Sequence, residues 1–445
     1  MKLFLIYLYR NFFRYVTRFL AYLLAKNILW LGLPLSILSR KVKFREFWPI
    51  KKTYSSITEL NSIVEDEILN QSSNLIIKRI KRRDTKDTKD RKKNIKEQLL
   101  SNKRVLFIYT ENVKLSKNNI SGNFTSWINT AKEAGCKTDK FIAEKVSYTP
   151  FQTHGNDAAA RIKTLEVETK KLLHKISQFS PDLIFMDANY SFDEFTINRD
   201  TVNSMRSVTS AKIVGILDDM FSDDSFMVAK LWASFMDIVF FSNIGISNRN
   251  VKNIIYVKYP VDPYAFYPAK KKKDTLFFSG IGNIPRYLYI FIAKRYCQVN
   301  LIPHYIQTHN REKKFCLSKA RFEKYVRESN AVLEATARSS VIRPTGGRTH
   351  TAIACKTLLI MEKSEYVHGM LAPFVHYIPY DTKKELEIAI QFSIDSKELV
   401  NKITNNSFDF YQKYYNADKI WQQIFYHSFD RKWNKKKRAN KKTLN

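Results

Sequence analysis

The chain is poor in cysteine: four residues in 445, Cys136, Cys297, Cys316 and Cys355, none closely paired. That spacing excludes a disulfide scaffold and the paired thiolates of a structural zinc site, and it fits a reducing compartment. Cys355 lies in the apolar run Ala352 to Ile360, interrupted by Lys356, and reads as a small core residue rather than a nucleophile. His350, His368 and His376 lack the spacing of a metal cluster. Acidic residues are missing from both ends: nine basic side chains precede Glu46, and the last fifteen residues carry eight basic ones and no acidic one. A clean membrane-spanning run is also missing. Phe19 to Leu38 is long enough, but Lys26 and Asn27 interrupt it and Pro34 breaks it. No small-residue cleavage motif follows it before the basic run Arg40 to Arg45, which argues against a signal peptide.

What is present is apolar and basic. Hydrophobic residues make up 44% and aromatics 14%, enough to fill the cores of two domains in a chain of this length. Net charge is +33, which predicts attraction to anionic lipid, phosphorylated small molecules or nucleic acid; a general bias toward Lys, Asn, Ile, Phe and Tyr competes as its source. Arg10, Arg14 and Arg18 share one face of an N-terminal helix. Residues 1–50 therefore read as a basic amphipathic segment lying on the cytoplasmic membrane interface, ahead of a spanning helix or a buried packing helix. Were it to span, the flank Arg40, Lys41, Lys43 and Arg45 would stay cytoplasmic. Residues 51–102 read as a charged linker, with nothing apolar between Ile80 and Ile95. The basic runs at 78–93 and 431–442 would carry salt-dependent affinity for nucleic acid, but no recognised nucleic-acid module accompanies them, so nucleic acid is not the expected partner.

From Lys103 the pattern becomes α/β. Val105–Tyr109, Leu183–Met186, Ile213–Leu217 and Ile238–Phe241 are short apolar runs of the kind buried on both faces of a parallel sheet, with a helical stretch from Ala158 to Phe179 between two of them. Each of the last three runs ends in polar residues: Asp187-Ala188-Asn189, Asp218-Asp219 and Ser242-Asn243. Open parallel sheets bind ligands beyond those strand ends, and the doubled Asp218-Asp219, followed by Asp223-Asp224, is the strongest candidate there. Residues 103–258 form the expected first Rossmann-like domain. The proline-punctuated stretch Tyr259 to Pro268 marks a connector over 259–270, and 271–430 a second Rossmann-like domain before the basic tail 431–445. The second domain opens with the strand Thr275–Phe278 and the turn Ser279-Gly280-Ile281-Gly282-Asn283. A helix from Pro285 or Arg286, a helix Arg321 to Asn330 and a strand Ala331–Leu333 follow. Thr345-Gly346-Gly347-Arg348 then precedes a helix and offers backbone amides and a forked guanidinium to a diphosphate.

Pro260 to Pro268, Asp274 to Gly280 with Arg286, Gly347 to Ile360 and His368 to Asp381 together resemble, in order and spacing, the connector and donor half of bacterial glycosyltransferases of the spore-maturation CgeB-like group, related to glycosyltransferase families 1 and 4. The resemblance runs from about Lys103 to Trp421 and is strongest over the second domain. It implies the GT-B fold, two Rossmann-like domains facing across a cleft. It also implies a nucleotide-diphosphate sugar as co-substrate, no required cofactor or metal, and a glycan, lipid-linked or surface glycoconjugate acceptor. The expected donor-binding residues are Ser279, Gly280, Arg286, Gly346, Gly347, Arg348, Thr351 and Lys356; Asp218, Asp219 and His154 are the candidates for base or acceptor orientation. Two positions depart from the group. The carboxylate usual three residues after the arginine, which would bind donor ribose, is Thr351, and the usual glycine after Cys355 is Lys356. Lys356 adds a phosphate contact if it faces the cleft and otherwise snorkels to solvent. The lost carboxylate leaves a second expectation open, a catalytically inactive relative serving as an envelope-assembly or binding protein. The enzyme expectation places the chain in the cytoplasm, peripheral on the inner face of the cell membrane.

Overall fold

The structure, a computed structural model, describes residues 52–70, 100, 102–109, 122–143, 156–188, 199–217, 223–242, 253–281, 286–309, 317–335, 347–363 and 371–429. The segment 1–50, most of the charged linker, including its basic run, and the tail 431–445 lie outside the described residues, as do the expectations placed on them. Among the described residues no helix is long and apolar enough to cross a membrane.

Two parallel sheets organise the chain. The first has the order β2-β1-β3-β4-β5-β6, built from β1 (Arg104–Tyr109), β2 (Lys137–Ile142), β3 (Leu183–Asp187), β4 (Lys212–Leu217), β5 (Ile238–Phe241) and β6 (Ile254–Tyr256). The second has the order β11-β10-β9-β7-β8, built from β7 (Lys273–Ile281), β8 (His304–His309), β9 (Ser329–Glu334), β10 (Leu358–Glu362) and β11 (Ile378–Tyr380). Every pairing in both sheets is parallel. Helices connect the strands: α2 (Gly122–Glu133), α3 (Asn156–Phe179), α4 (Arg199–Val208) and α5 (Asp223–Ala233) in the first unit, then α6 (Arg286–Val299), α7 (Lys319–Glu328), α8 (Gly347–Ala354), α9 (Lys383–Asp395) and α10 (Lys397–Tyr414) in the second.

Strand alternation divides each core in two. Leu276, Phe278, Ala331, Leu333, Leu358 and Ile360 pack on α6 and α9, while Phe277, Val332, Leu359 and Met361 face α7 and α8. In the first sheet Leu106, Ile108, Ile184 and Met186 face α3 and α4, and Val105, Phe107, Leu183 and Phe185 face α2. The central strands match the apolar runs in the sequence. The strands that had no such signal include β2 and β8, sheet edges that are partly solvated and correspondingly polar, and β6, the other edge of the first sheet, which is apolar but only three residues long.

Helices from the two ends of the chain complete the cores. Helix α1 (Ile57–Leu69) falls inside the segment expected to be a charged linker. It is capped by the Ser56 side chain and buries Leu60 and Val64, with Tyr54, in the core of the second sheet. The Tyr54 hydroxyl donates to the Pro379 carbonyl at 2.8 Å. At the other end α11 (Ala417–Phe429), assigned from sequence to the second domain, packs on the first sheet through Ile420, Trp421, Ile424 and Phe425. The Trp421 ring lies 5.5 Å from Phe185 and 5.8 Å from Phe107, and its Nε1 donates to the Thr130 hydroxyl at 3.1 Å.

Trp421→Ala therefore destabilises the first sheet, not the second, by about 3–5 kcal/mol, the usual range for emptying a buried tryptophan site. Hydrogen exchange checks it: protection falls in β1 and β3 before it falls in β9 and β10.

Candidate functional site

In the second sheet the chain moves from β7 to β8 on one side and then returns to β9 on the other, so strand order reverses between β7 and β9. The crevice beyond the carboxyl ends of two such strands is where open α/β sheets bind ligands. Two arginines bridge it in opposite directions. Arg286 opens α6, which follows β7, and its Nε donates to the Ala335 carbonyl just beyond β9 at 2.7 Å. Arg348 is the second residue of α8, which follows β9, and its Nη1 donates to the Ser279 carbonyl on β7 at 2.9 Å. The rest of the Arg348 fork is held by Glu334, the last residue of β9: Nε to Oε2 at 2.8 Å and Nη2 to Oε1 at 3.0 Å. Only 14% of the Arg348 side chain and 6% of that of Glu334 are exposed.

The surroundings fit this arrangement. The Phe278 ring lies beneath both cations, 5.0 Å from the Arg348 guanidinium carbon and 6.0 Å from that of Arg286. A Cβ at Gly280 would sit 2.7 Å from Arg348 Nη1, so the bare backbone at that position is what lets the guanidinium rest on the strand end. The Tyr380 hydroxyl donates to the Glu334 carbonyl at 3.1 Å. Burial, and then the adjacent Arg348 charge, lowers the Arg286 guanidinium to about 10, with Glu334, Tyr380 and Glu362 pulling it back up. It stays protonated at neutral pH. The site thus gathers Ser279, Gly280, Arg286 and Arg348, all singled out from sequence, and adds Glu334, which was not. The signal was available: the run Ala331-Val332-Leu333 ends in an acidic residue, as the first-domain strands end in polar ones.

Other expected residues stand elsewhere. Thr351 is buried one turn into α8, and its hydroxyl donates to the Arg348 carbonyl at 3.2 Å. Of the two expectations for Lys356, a phosphate contact or a side chain turned outward, the contacts present are with α10: its amine donates to Asn405 at 3.2 Å and lies 4.8 Å from the Phe408 ring centre. Its backbone explains the glycine usual there. Lys356 has φ of 51° and closes α8, its N–H donating to Ile353 and that of Thr357 to Ala352, the paired bonds of a left-handed helix terminus. Gly347 begins α8 against the connector, where a Cβ would meet the Tyr259 hydroxyl at 3.2 Å. Gly346, Asp218, Asp219 and His154 lie outside the described residues.

Behind the arginines, His350 is 2% exposed and packed between Tyr259 of the connector, 5.6 Å away and nearly parallel, and Tyr415 after α10, 5.5 Å away. Neither ring nitrogen has a hydrogen-bond partner among the described residues, and burial lowers its pKa to about 4. His376 is lowered to about 3 by burial, its Nδ1 accepting from the Ala372 N–H at 2.9 Å. Among the described residues no group of three or more His, Cys, Asp or Glu is placed to hold a metal ion.

No protein-family model matches the sequence, and no curated protein matches it. Solved structures match in fold. An α-glucosyltransferase in complex with UDP-glucose and DNA containing an abasic site is 11% identical, with 72% of this chain and 98% of that one covered and a TM-score of 0.50. A glycosyltransferase from Rickettsia africae is 10% identical over 73% and 97% of the two chains at 0.47. Anabaena Alr3699/HepE in complex with UDP and glucose is 11% identical over 72% and 98% at 0.45. The chain has the α/β GT-B fold, with two parallel sheets of six and five strands.

Lys356→Gly relieves the left-handed backbone and stabilises the chain by about 1 kcal/mol, read from the urea midpoint. Between pH 6.5 and 4 the unfolded chain protonates its histidines while folded His350 and His376 stay neutral, so stability falls as pH is lowered. The limiting slope is about 1.4 kcal/mol per pH unit for each histidine. His350→Phe keeps the ring stack and flattens the slope of stability against pH in that window.

Proposed function

We propose that the chain is a glycosyltransferase that takes a nucleotide-diphosphate sugar at the β7–β9 crevice of the second sheet and transfers the sugar to an acceptor approaching the first. The observation that carries this reading is the pair of buried arginines over Phe278 at the strand-order reversal. Glycosyl transfer leaves a diphosphate behind, and two fixed guanidiniums with the amino end of α8 supply the positive potential that stabilises it. An α-glucosyltransferase of like fold, in complex with UDP-glucose, supports the choice of co-substrate. A glycan, a lipid-linked glycan or a surface glycoconjugate precursor suits a chain whose basic segment 1–50 would hold it at the inner face of the membrane. Asp218, Asp219 and His154 remain the proposed groups for activating or orienting the acceptor hydroxyl, and the proposed reaction needs no metal.

A second reading, a catalytically inactive relative that binds or assembles envelope components, is favoured by one observation: Thr351 offers a single hydroxyl, already bonded within its helix, where the resemblance expects a ribose-binding carboxylate.

A calorimetric panel of nucleoside diphosphates and nucleotide sugars against the full chain separates the two. Specific binding by the wild type, weakened roughly ten- to hundredfold in Arg348→Ala, is the expected result, given about 1.5–3 kcal/mol for a charge-assisted hydrogen bond. Absence of nucleotide binding by folded wild-type chain would select the second reading.

A further inference from the structure

The donor crevice carries its own counter-charge. Arg348 is the best-placed phosphate ligand in the second sheet, yet Glu334 grips its Nε and Nη2 in a two-oxygen ion pair, with Ser279 taking a third N–H. Of the five N–H groups on a guanidinium, two remain without a partner among the described residues. Glu362 ends the neighbouring strand β10, buried at 3% exposure, and its charge also acts on Arg286. Among the described residues, two carboxylates thus stand near the two guanidiniums and offset part of the positive charge a diphosphate would meet. A leaving diphosphate brought to Arg348 would stand within a few ångströms of the Glu334 carboxylate in a region of low water access, where like charges repel strongly.

We propose that Glu334 is an affinity-setting residue of this site, a built-in electrostatic antagonist that competes with the diphosphate for Arg348. The proposal rests on the donor-site reading above. Glu334 holds Arg348 and prevents a buried unpaired cation there. A diphosphate binds by displacing the carboxylate or by sharing the fork against its charge. Together with the loss of a carboxylate at Thr351, this makes the chain a weak binder of free nucleotide. Contacts from elsewhere on a correct donor, or from the acceptor, then decide whether the pair opens.

The test is the affinity of the full-length wild type, Glu334→Gln and Glu334→Asp for two probes, inorganic pyrophosphate and UDP, by calorimetry at one fixed ionic strength. Glu334→Gln keeps the side-chain shape and removes the charge; it is expected to bind both probes about tenfold more tightly or better. Glu334→Asp keeps the charge balance that supports folding but withdraws the carboxylate from the two-oxygen grip. It is expected to fall between the other two, which keeps the test decisive if the glutamine variant fails to fold. Equal or weaker pyrophosphate binding in the variants would overturn the proposal and leave Glu334 as a prop for Arg348. UDP bound alike by all three forms would sink the antagonist and keep the nucleotide reading. Pyrophosphate tightening without UDP binding would keep the antagonist and sink the nucleotide. Failure of both probes on folded wild type and variants would sink both.

Discussion

The Arg348 guanidinium ties the end of β7 to the end of β9, and the candidate site depends on that bridge. Three hydrogen bonds fix it, Phe278 supports it from below, and the missing side chain at Gly280 gives it room. A buried ion pair of this kind is a poor source of stability, because desolvating two charges offsets most of their attraction; its value lies in holding one geometry. Here the geometry held is a fork of N–H donors at the point where strand order reverses. Arg286, crossing the same crevice from the other side to Ala335, gives the site its second fixed cation.

The same chain economy appears at larger scale. Neither sheet is covered by contiguous sequence alone. Helix α1 reaches the second sheet from near the start of the chain, and α11 returns to the first sheet from its end. The two units are therefore joined by the connector and by the return from α10 to α11. These lie side by side: Lys258 donates to the Tyr414 carbonyl at 2.6 Å and stacks on Tyr415, whose ring, with Tyr259, encloses His350 on α8. The aromatic stack places a buried neutral histidine between the crossing segments and the helix that carries Arg348.

The sequence made the two-sheet α/β plan legible because parallel central strands are buried on both faces and appear as unbroken apolar runs. Val105–Tyr109 and Leu358–Met361 carry that signal. The edge strands β2 and β8, Lys-Thr-Asp-Lys-Phe-Ile and His-Tyr-Ile-Gln-Thr-His, do not, since half of each faces water. Helix α1 was hidden by the charged sequence after it, although Ser56 with Leu60 and Val64 has the form of a capped amphipathic helix. At the site, Arg286 and Arg348 were legible from their places at the starts of helices that follow strands. The pairing of Arg348 with Glu334 was not, because the two stand fourteen residues apart on separate elements, the end of β9 and the start of α8. Lys356 closes its helix in the left-handed conformation, and its amine meets Asn405 of α10.

A crystal structure of the full chain with a nucleoside diphosphate tests the central claim most directly. The account predicts diphosphate density between the ends of β7 and β9, within hydrogen-bonding distance of Arg286 and Arg348, with the Glu334 carboxylate moved off the Arg348 fork or sharing it. Density for the nucleotide anywhere else, with the Arg348–Glu334 pair unchanged, would contradict it.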